Sequence, residues 1–342
     1  MAAKSVKREW SKAVANAIAG APPSSLPLKL SPQLATLAGS LPAVGRWLFE
    51  VKFDGYRIVA RVEGGKAQLI TRSGNDWTSK MPSLALEVAK LPVKSAWLDG
   101  EAVVLDAKGV PHFNRLQNAF DARGTEEIVF FVFDVPFLDG RDLRGLPQQE
   151  RSEILAQLIP GNAPSRVRLS RTFEGDADAV LRSACAMGLE GIMAKRADAP
   201  YVLKRSTSWL KLKCHQRQEF AVGGFTARSD NPRAVGSLLL GVYAEGKLLP
   251  AGSVGTGWDT TTAASLMKSL VELEVEKCPF SVAPSPGRWS RRVASAERWV
   301  KPKLVVEVQF AEWTLDGAVR HASFQGLRLD KPAKSIRREV AK

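Results

Sequence analysis

From residue 47 onward the chain breaks into short runs in which apolar and polar positions alternate, the period of a half-buried strand. Runs over 48–52, 57–62 and 68–72 follow this period. A Glu63-Gly64-Gly65-Lys66 reversal separates the last two, so an antiparallel sheet is expected there. Stretches over 83–91, 147–159 and 176–187 carry the longer helical period, the second opened by Pro147, whereas the solidly apolar 128–133 and 191–195 read as buried strands. Strands and helices interleaved in this way predict an α+β fold.

Beyond Lys213 the runs shorten and glycine punctuates them. Strands are expected at 220–225, 237–243, 247–253, 304–310 and 319–323, with one helix after the third, for which Asp259 is the predicted N-cap. Five strands and a helix in this length suit a small oligonucleotide-binding (OB) β-barrel. The domain boundary is placed near 216, giving domains over 27–216 and 217–342. Residues 1–26 end in Ala21-Pro22-Pro23-Ser24-Ser25 and read as a basic leader or linker on the periphery. The alanine-rich stretch at 13–21 lacks the leucines of a secretory signal.

Composition narrows the partners. Of 342 residues 45% are hydrophobic and 25% charged, which excludes disorder as the main state, and no apolar run is long enough to span a membrane. Lysine and arginine number 49 against 35 acids, a net charge of +14 that favours a polyanion such as nucleic acid. From Pro286 onward thirteen basic residues face six acidic ones, which concentrates half of that charge at the C-terminal end. Arg288, Arg291 and Arg292 are the candidates there for tracking DNA phosphates, with Trp289 and Trp299 as stacking or core aromatics. Three widely spaced cysteines, Cys185, Cys214 and Cys278, draw neither a disulfide framework nor a zinc site, and a reducing cytoplasm is expected.

The chemistry concentrates at Glu50-Val51-Lys52-Phe53-Asp54-Gly55-Tyr56-Arg57, where a lysine ends a strand before a tight Asp-Gly turn. Alone, this reads equally as a hairpin beside a solvated lysine; a nucleophilic amine needs burial or neighbouring cations to lower its pKa. Further segments follow in order: Thr71-Arg72-Ser73-Gly74, Leu98-Asp99-Gly100-Glu101, Phe131-Val132-Phe133-Asp134, Glu190-Gly191-Ile192-Met193-Ala194-Lys195 and Trp209-Leu210-Lys211-Leu212-Lys213. Farther on come Gly236 to Gly241, Gly252 to Gly257 and Phe324-Gln325-Gly326-Leu327-Arg328-Leu329-Asp330-Lys331. Lys211 and Lys213 stand two apart and so share a strand face, either in a phosphate pocket or as charged guards of an exposed edge.

Over roughly 28–340 this order resembles the covalent nucleotidyltransferases, and within them the ATP-dependent DNA ligases, especially the ligase module of bacterial non-homologous end-joining enzymes. The resemblance implies a nucleotidyltransferase core of antiparallel sheets and helices, ATP-grasp-like, followed by an OB barrel. It assigns Lys52 as the amine that attacks the α-phosphorus of ATP. Glu50, Arg57, Arg72, Glu101, Phe133, Lys211, Lys213 and Arg328 would bind nucleotide, Glu50 at the adenine edge through side chain or backbone. Phe131 remains an alternative to Phe133 for stacking. Glu101 and Glu190 would hold Mg2+ or Mn2+, and Asp330 and Lys331 would serve adenylation from the second domain. Alanine at 322, where the family pattern has proline, weakens the same argument for Arg320.

The implied substrate is nicked or broken duplex DNA. The implied setting is bacterial, cytoplasmic and nucleoid-associated, with the protein a monomer and DNA-end-binding, polymerase or nuclease functions supplied by partners. Two other readings share parts of the pattern: an mRNA-capping guanylyltransferase and a catalytically dead nucleic-acid-binding protein.

Overall fold

The computed structural model describes residues 10–111, 113–121, 124–159, 166–214, 216–282, 284 and 297–339. The chain separates into two compact units, one running to Cys214 and the other covering His215–Val340.

In the first unit the elements are α1 (Lys12–Gly20), β1 (Leu34–Leu37), β2 (Trp47–Val51), β3 (Tyr56–Glu63), β4 (Lys66–Thr71), α2 (Pro82–Ala89), β5 (Ser95–Val103) and α3 (Phe113–Asp121). They continue with β6 (Val129–Leu138), β7 (Arg141–Asp142), α4 (Gln148–Leu158), β8 (Val167–Leu169), α5 (Ala177–Ala186), β9 (Gly191–Arg196) and β10 (Arg205–Lys213). Two sheets result. One runs β4-β3-β5-β6-β7 with β8 parallel to β6, and the other runs β1-β10-β9-β2. The larger sheet packs its apolar face on α2 and α4, with Ile58, Val62, Leu84, Leu98, Val132 and Ile154 fully buried in one core.

The N-terminal segment departs from the expected tether. Ser11 caps α1 by accepting from the Val14 amide, and Val14 and Ala21 enter the main core at 2% exposure each. The Ser24 amide then donates to the Gly140 carbonyl at 2.9 Å. The linker reading rested on the Ala21-Pro22-Pro23-Ser24-Ser25 ending, whereas the stretch before it forms a helix that packs into the core. The cysteine expectation also fails: Cys185, in α5, is bonded to Cys214, just after β10, across 29 residues of chain. Pairing of β9 with β10 brings the two together, which linear spacing does not reveal.

The second unit contains β11 (Gln216–Ala227), β12 (Val235–Ala244), β13 (Lys247–Val254), α6 (Thr260–Val271), β14 (Glu274–Val275), β15 (Glu297–Val300), β16 (Val305–Phe310), β17 (Glu312–Trp313), β18 (Val319–Arg320) and β19 (Ser323–Leu327). Asp259 caps α6 as expected, accepting from the Thr262 amide at 2.7 Å. The OB-type arrangement is present, but the ladder does not close into a barrel among the described residues. β11 pairs β12 along one edge and divides the other between β16, through its first half, and β15, through its second. The single strand expected over 319–323 is broken because His321 takes a left-handed φ of 51°, so β18 turns back on β17 and β19 joins β16. Trp299 packs edge-on against Phe280, a core role. Arg288, Trp289, Arg291 and Arg292 lie outside the described residues.

Candidate active site

Lys52 leaves the end of β2, its amide donating to the Gly191 carbonyl at 3.1 Å, which aligns it with the start of β9. Two glycines make this approach possible. A Cβ on Gly55 would stand 2.1 Å from the Ala102 carbonyl oxygen, and one on Gly191, at φ 149°, would stand 2.0 Å from that of Leu212. The Asp-Gly turn therefore lies flat on β5, and β9 and β10 close tightly beside Glu190.

The Lys52 Nζ forms an ion pair with Glu190 Oε2, and Lys213 Nζ lies 4.0 Å from Glu190 Oε1. The Lys52 and Glu190 side chains are 17% and 4% exposed, so this pair is largely out of water. Burial pushes the Lys52 ammonium toward deprotonation, but the charge and hydrogen bond of Glu190, with Asp54 and Glu101 behind it, outweigh burial and raise its pKa. A pKa lowered by burial or by neighbouring cations was expected. In this state the nearest charge is instead an acid that keeps the amine protonated. Lys213 lies opposite Gly191 and Lys211 opposite Met193, on the same face of β10. Among the described residues no three acids, histidines or cysteines cluster as a metal cage. Glu101 and Glu190 nevertheless offer hard oxygen donors of the kind that suit a magnesium ion retaining most of its waters.

Arg57, on β3, is held by Asp99 of the adjacent β5 through a two-pronged bond of 2.6 and 2.7 Å and donates also to the Gln33 carbonyl at 3.2 Å. Tyr201 donates to the same Asp99 at 2.6 Å, and the Gln33 amide donates to the Tyr201 hydroxyl at 3.0 Å. Burial disfavours the Arg57 charge, yet Asp99 more than restores it and the pKa rises. Arg57 is thus a pinned cation whose guanidinium lies 4.4 Å above the centre of the Phe133 ring. Arg72 follows β4, exposed, with its amide on the Arg57 carbonyl at 3.2 Å. Glu101 stands opposite Arg57 in the ladder. The two candidate aromatics separate clearly: Phe131 stacks on Phe53 at 4.2 Å, whereas Phe133 borders a cavity of about 290 Å³.

Glu50 is buried behind that cavity. Lys195 Nζ lies 2.6 Å from its Oε1, and Ser170 Oγ donates to its Oε2 at 2.9 Å. Burial raises the Glu50 pKa, with Lys195 and Ser170 pulling against it. Lys195 also donates to the Phe133 carbonyl at 3.0 Å and sits between the Phe133 and Trp209 rings, 4.5 and 4.3 Å from their centres. The β2 and β9 segments therefore exchange charges, Glu50 with Lys195 within the strands and Lys52 with Glu190 just beyond them. Sequence reasoning gave Lys195, Ser170, Asp99 and Tyr201 no role. A lysine inside the apolar run 191–195 was the one signal available, since a lone charge there must find a partner.

In the second unit Arg328 is clamped from two sides. Its Nε and Nη2 each donate to Asp330 at 2.9 Å and its Nη1 to Glu307 at 3.0 Å. Burial opposes its charge, but Asp330 and Glu307 raise its pKa well above the ordinary value. Lys331 pairs with Glu219, and Arg320 pairs at the surface with Glu312 at 3.2 Å.

Comparison with known proteins places the chain in a family. Residues 32–213 match the family model described as ATP dependent DNA ligase domain, and 231–331 match ATP dependent DNA ligase C terminal region. The chain is 40% identical over 314 residues to the multifunctional non-homologous end joining protein LigD of Pseudomonas aeruginosa, covering 91% of this chain and 37% of that protein. It is 39% identical to the LigD repair protein of Mycobacterium tuberculosis, covering 91% and 40%. It thus spans about two fifths of the length of these relatives. A solved structure of mycobacterial DNA ligase D complexed with ATP and MES, 38% identical, superposes with a TM-score of 0.66 over 91% of this chain and 98% of that one. Matched by these two family models in succession and by relatives of about 40% identity over 91% of its length, this chain belongs to the ATP-dependent DNA ligase family.

Proposed function

We propose that the chain joins 5′-phosphate and 3′-hydroxyl ends in duplex DNA through an adenylated Lys52, within bacterial end-joining repair in the cytoplasm. The observation that carries this is the Lys52–Glu190–Lys213 cluster: a half-buried amine fixed at a strand end, with Lys211 and Lys213 on the face beside it. In the first step the Lys52 Nζ, having lost its proton, attacks the α-phosphorus of ATP. An N–P bond forms, the bond to the bridging oxygen breaks, and pyrophosphate leaves. The pairing with Glu190 holds the amine in place and in reserve until a nucleotide redistributes charge around it. Lys211 and Lys213 offset the charge that develops on the phosphate oxygens.

In the second step a 5′-phosphate oxygen attacks the lysyl adenylate, releasing the lysine and leaving a pyrophosphate-linked DNA adenylate. In the third the 3′-hydroxyl attacks the 5′-phosphorus, and AMP departs. Glu101 and Glu190 would hold magnesium, which supplies charge neutralisation at the phosphates when bound. Arg328, Asp330 and Lys331 are assigned to the first step, where cations behind the β- and γ-phosphates would ease the departure of pyrophosphate. Because LigD relatives are described as multifunctional and longer, polymerase, nuclease and end-binding activities are assigned to other modules or partners.

The test is incubation with α-labelled ATP followed by a nicked duplex. A labelled protein that loses its label as the strand is sealed supports the reading. Labelling by GTP and not ATP reverses it in favour of a guanylyltransferase.

A further inference from the structure

In the second unit two acids face each other, an arrangement that sheets ordinarily avoid. Glu219, on β11, stands opposite Glu307, on β16, in the antiparallel ladder. Side chains paired in this way share one face with their Cβ atoms about 5 Å apart, and like charges so placed repel. The two side chains are only 18% and 7% exposed, so water screens them poorly. One short segment resolves the conflict with two cations. Arg328, just after β19, gives its Nη1 to Glu307 at 3.0 Å, and Lys331 pairs with Glu219. Asp330 takes the remaining Arg328 bonds, from Nε and Nη2, at 2.9 Å each, while Leu329 turns out to solvent.

The two ends of this segment differ in what they keep in hand. Arg328 has spent three donor atoms on acids, whereas an ammonium carries three hydrogens and the pairing of Lys331 with Glu219 Oε1 uses one. A lysine is otherwise a point charge on a flexible four-carbon stem, whose rotamers must be frozen before it can act at one place. We propose that Glu219 is a positioning residue for the first step: set against Glu307, it holds the Lys331 ammonium beside Arg328 with hydrogens left for a phosphate oxygen. The inference rests on the reading above that assigns Arg328 and Lys331 to the departure of pyrophosphate. A sheet that needed only stability at this point has a simpler solution, because an apolar residue at 219 would remove the repulsion altogether. Opposed acids instead oblige both cations to stay side by side, which is the arrangement a leaving group with several negative oxygens requires.

The experiment separates the step that uses Lys331 from one that does not. Single-turnover self-adenylation with labelled ATP is compared with sealing, in the absence of ATP, of a nick that already carries its 5′ adenylate. Glu219→Gln should slow self-adenylation about tenfold and leave the sealing rate within about twofold. Glu219→Asp, which keeps the charge but withdraws it by about 1.5 Å, should slow self-adenylation by a smaller factor. In a Lys331→Met background the Glu219→Gln change should have no further effect, as expected of a residue that acts through another. Undiminished self-adenylation in Glu219→Gln overturns the inference. So does an equal loss in both assays, the mark of an acid that serves only the fold, and so does a Glu219→Gln loss that persists in full when Lys331 is already methionine. A wild-type protein that forms no adenylate with ATP would instead remove the ligase reading, and this inference with it.

Discussion

Both units bury a basic side chain against acids, and they do so in opposite ways. Lys52 has one carboxylate partner, sits at a strand end and keeps part of its side chain open to solvent, while Arg328 is held by two carboxylates through three hydrogen bonds and is 7% exposed. One arrangement leaves a reactive atom available for exchange of partners; the other builds a rigid block of charge. A basic residue in a family motif is thus not by itself a statement about mobility or reactivity, which depend on how many of its donors are already engaged.

The severest way to break the contrast is Lys52→Ala. Enzyme adenylation should fall at least about 10⁴-fold while duplex binding changes by less than about threefold, since only the nucleophile is lost. Gel detection of the labelled protein and a mobility assay decide this, and undiminished adenylation removes Lys52 from its role. Next in size, Asp330→Ala removes two of the hydrogen bonds that hold the buried Arg328 and should destabilise the second unit by roughly 3–5 kcal/mol, as followed by denaturant melts.

Reduction of the Cys185–Cys214 bond should cost the first unit about 3.6 kcal/mol, given the sequence separation of 29, and leave the second unit's transition where it was. A melt in dithiothreitol that shifts neither transition, or both equally, rejects this.

The smallest effect is in pH. Burial raises the Asp330 pKa, but Arg328 and its hydrogen bonds outweigh that and depress it below the ordinary carboxylate value. The stability it contributes is therefore fully present above the unfolded pKa, about 3.9, and is lost as pH falls from there through the depressed folded value. Glu50 has the opposite sign. Its raised pKa means that its contribution is greatest below its unfolded value and declines as pH rises through the folded one. Asp330→Asn should flatten the acid limb of the second unit's melt, and an unchanged limb counts against the assignment.

Local signals carried much of this architecture. The alternation at 57–62 and 68–72 becomes β3 and β4 in register, and Asp259 caps the helix it was expected to cap. The pinning of Arg57 by Asp99 and the pairing of Glu50 with Lys195 were illegible, because they depend on which strands lie side by side across 42 and about 145 residues of chain. The opening of the barrel depends likewise on how β11 shares one edge between two partners, and the break at His321 on a backbone angle that no hydrophobic pattern records. At the N-terminus the error lay in extending the Pro-Ser ending of 21–25 to the residues before it, which form α1 and bury Val14 and Ala21.

The crossed charges on β2 and β9 have a consequence for how the chain finds its alignment. In the native pairing Glu50 faces Met193 and Val51 faces Ile192, with each charged residue reaching diagonally to its opposite. Sliding one strand by three residues in one direction would set Glu50 against Glu190, and by four in the other would set Lys52 against Lys195. A slip of one residue would turn both side chains to the wrong face. The four charges act as a key that rejects misaligned sheets before any nucleotide arrives, so inverting one of them should scatter the folding ensemble as well as silence the chemistry.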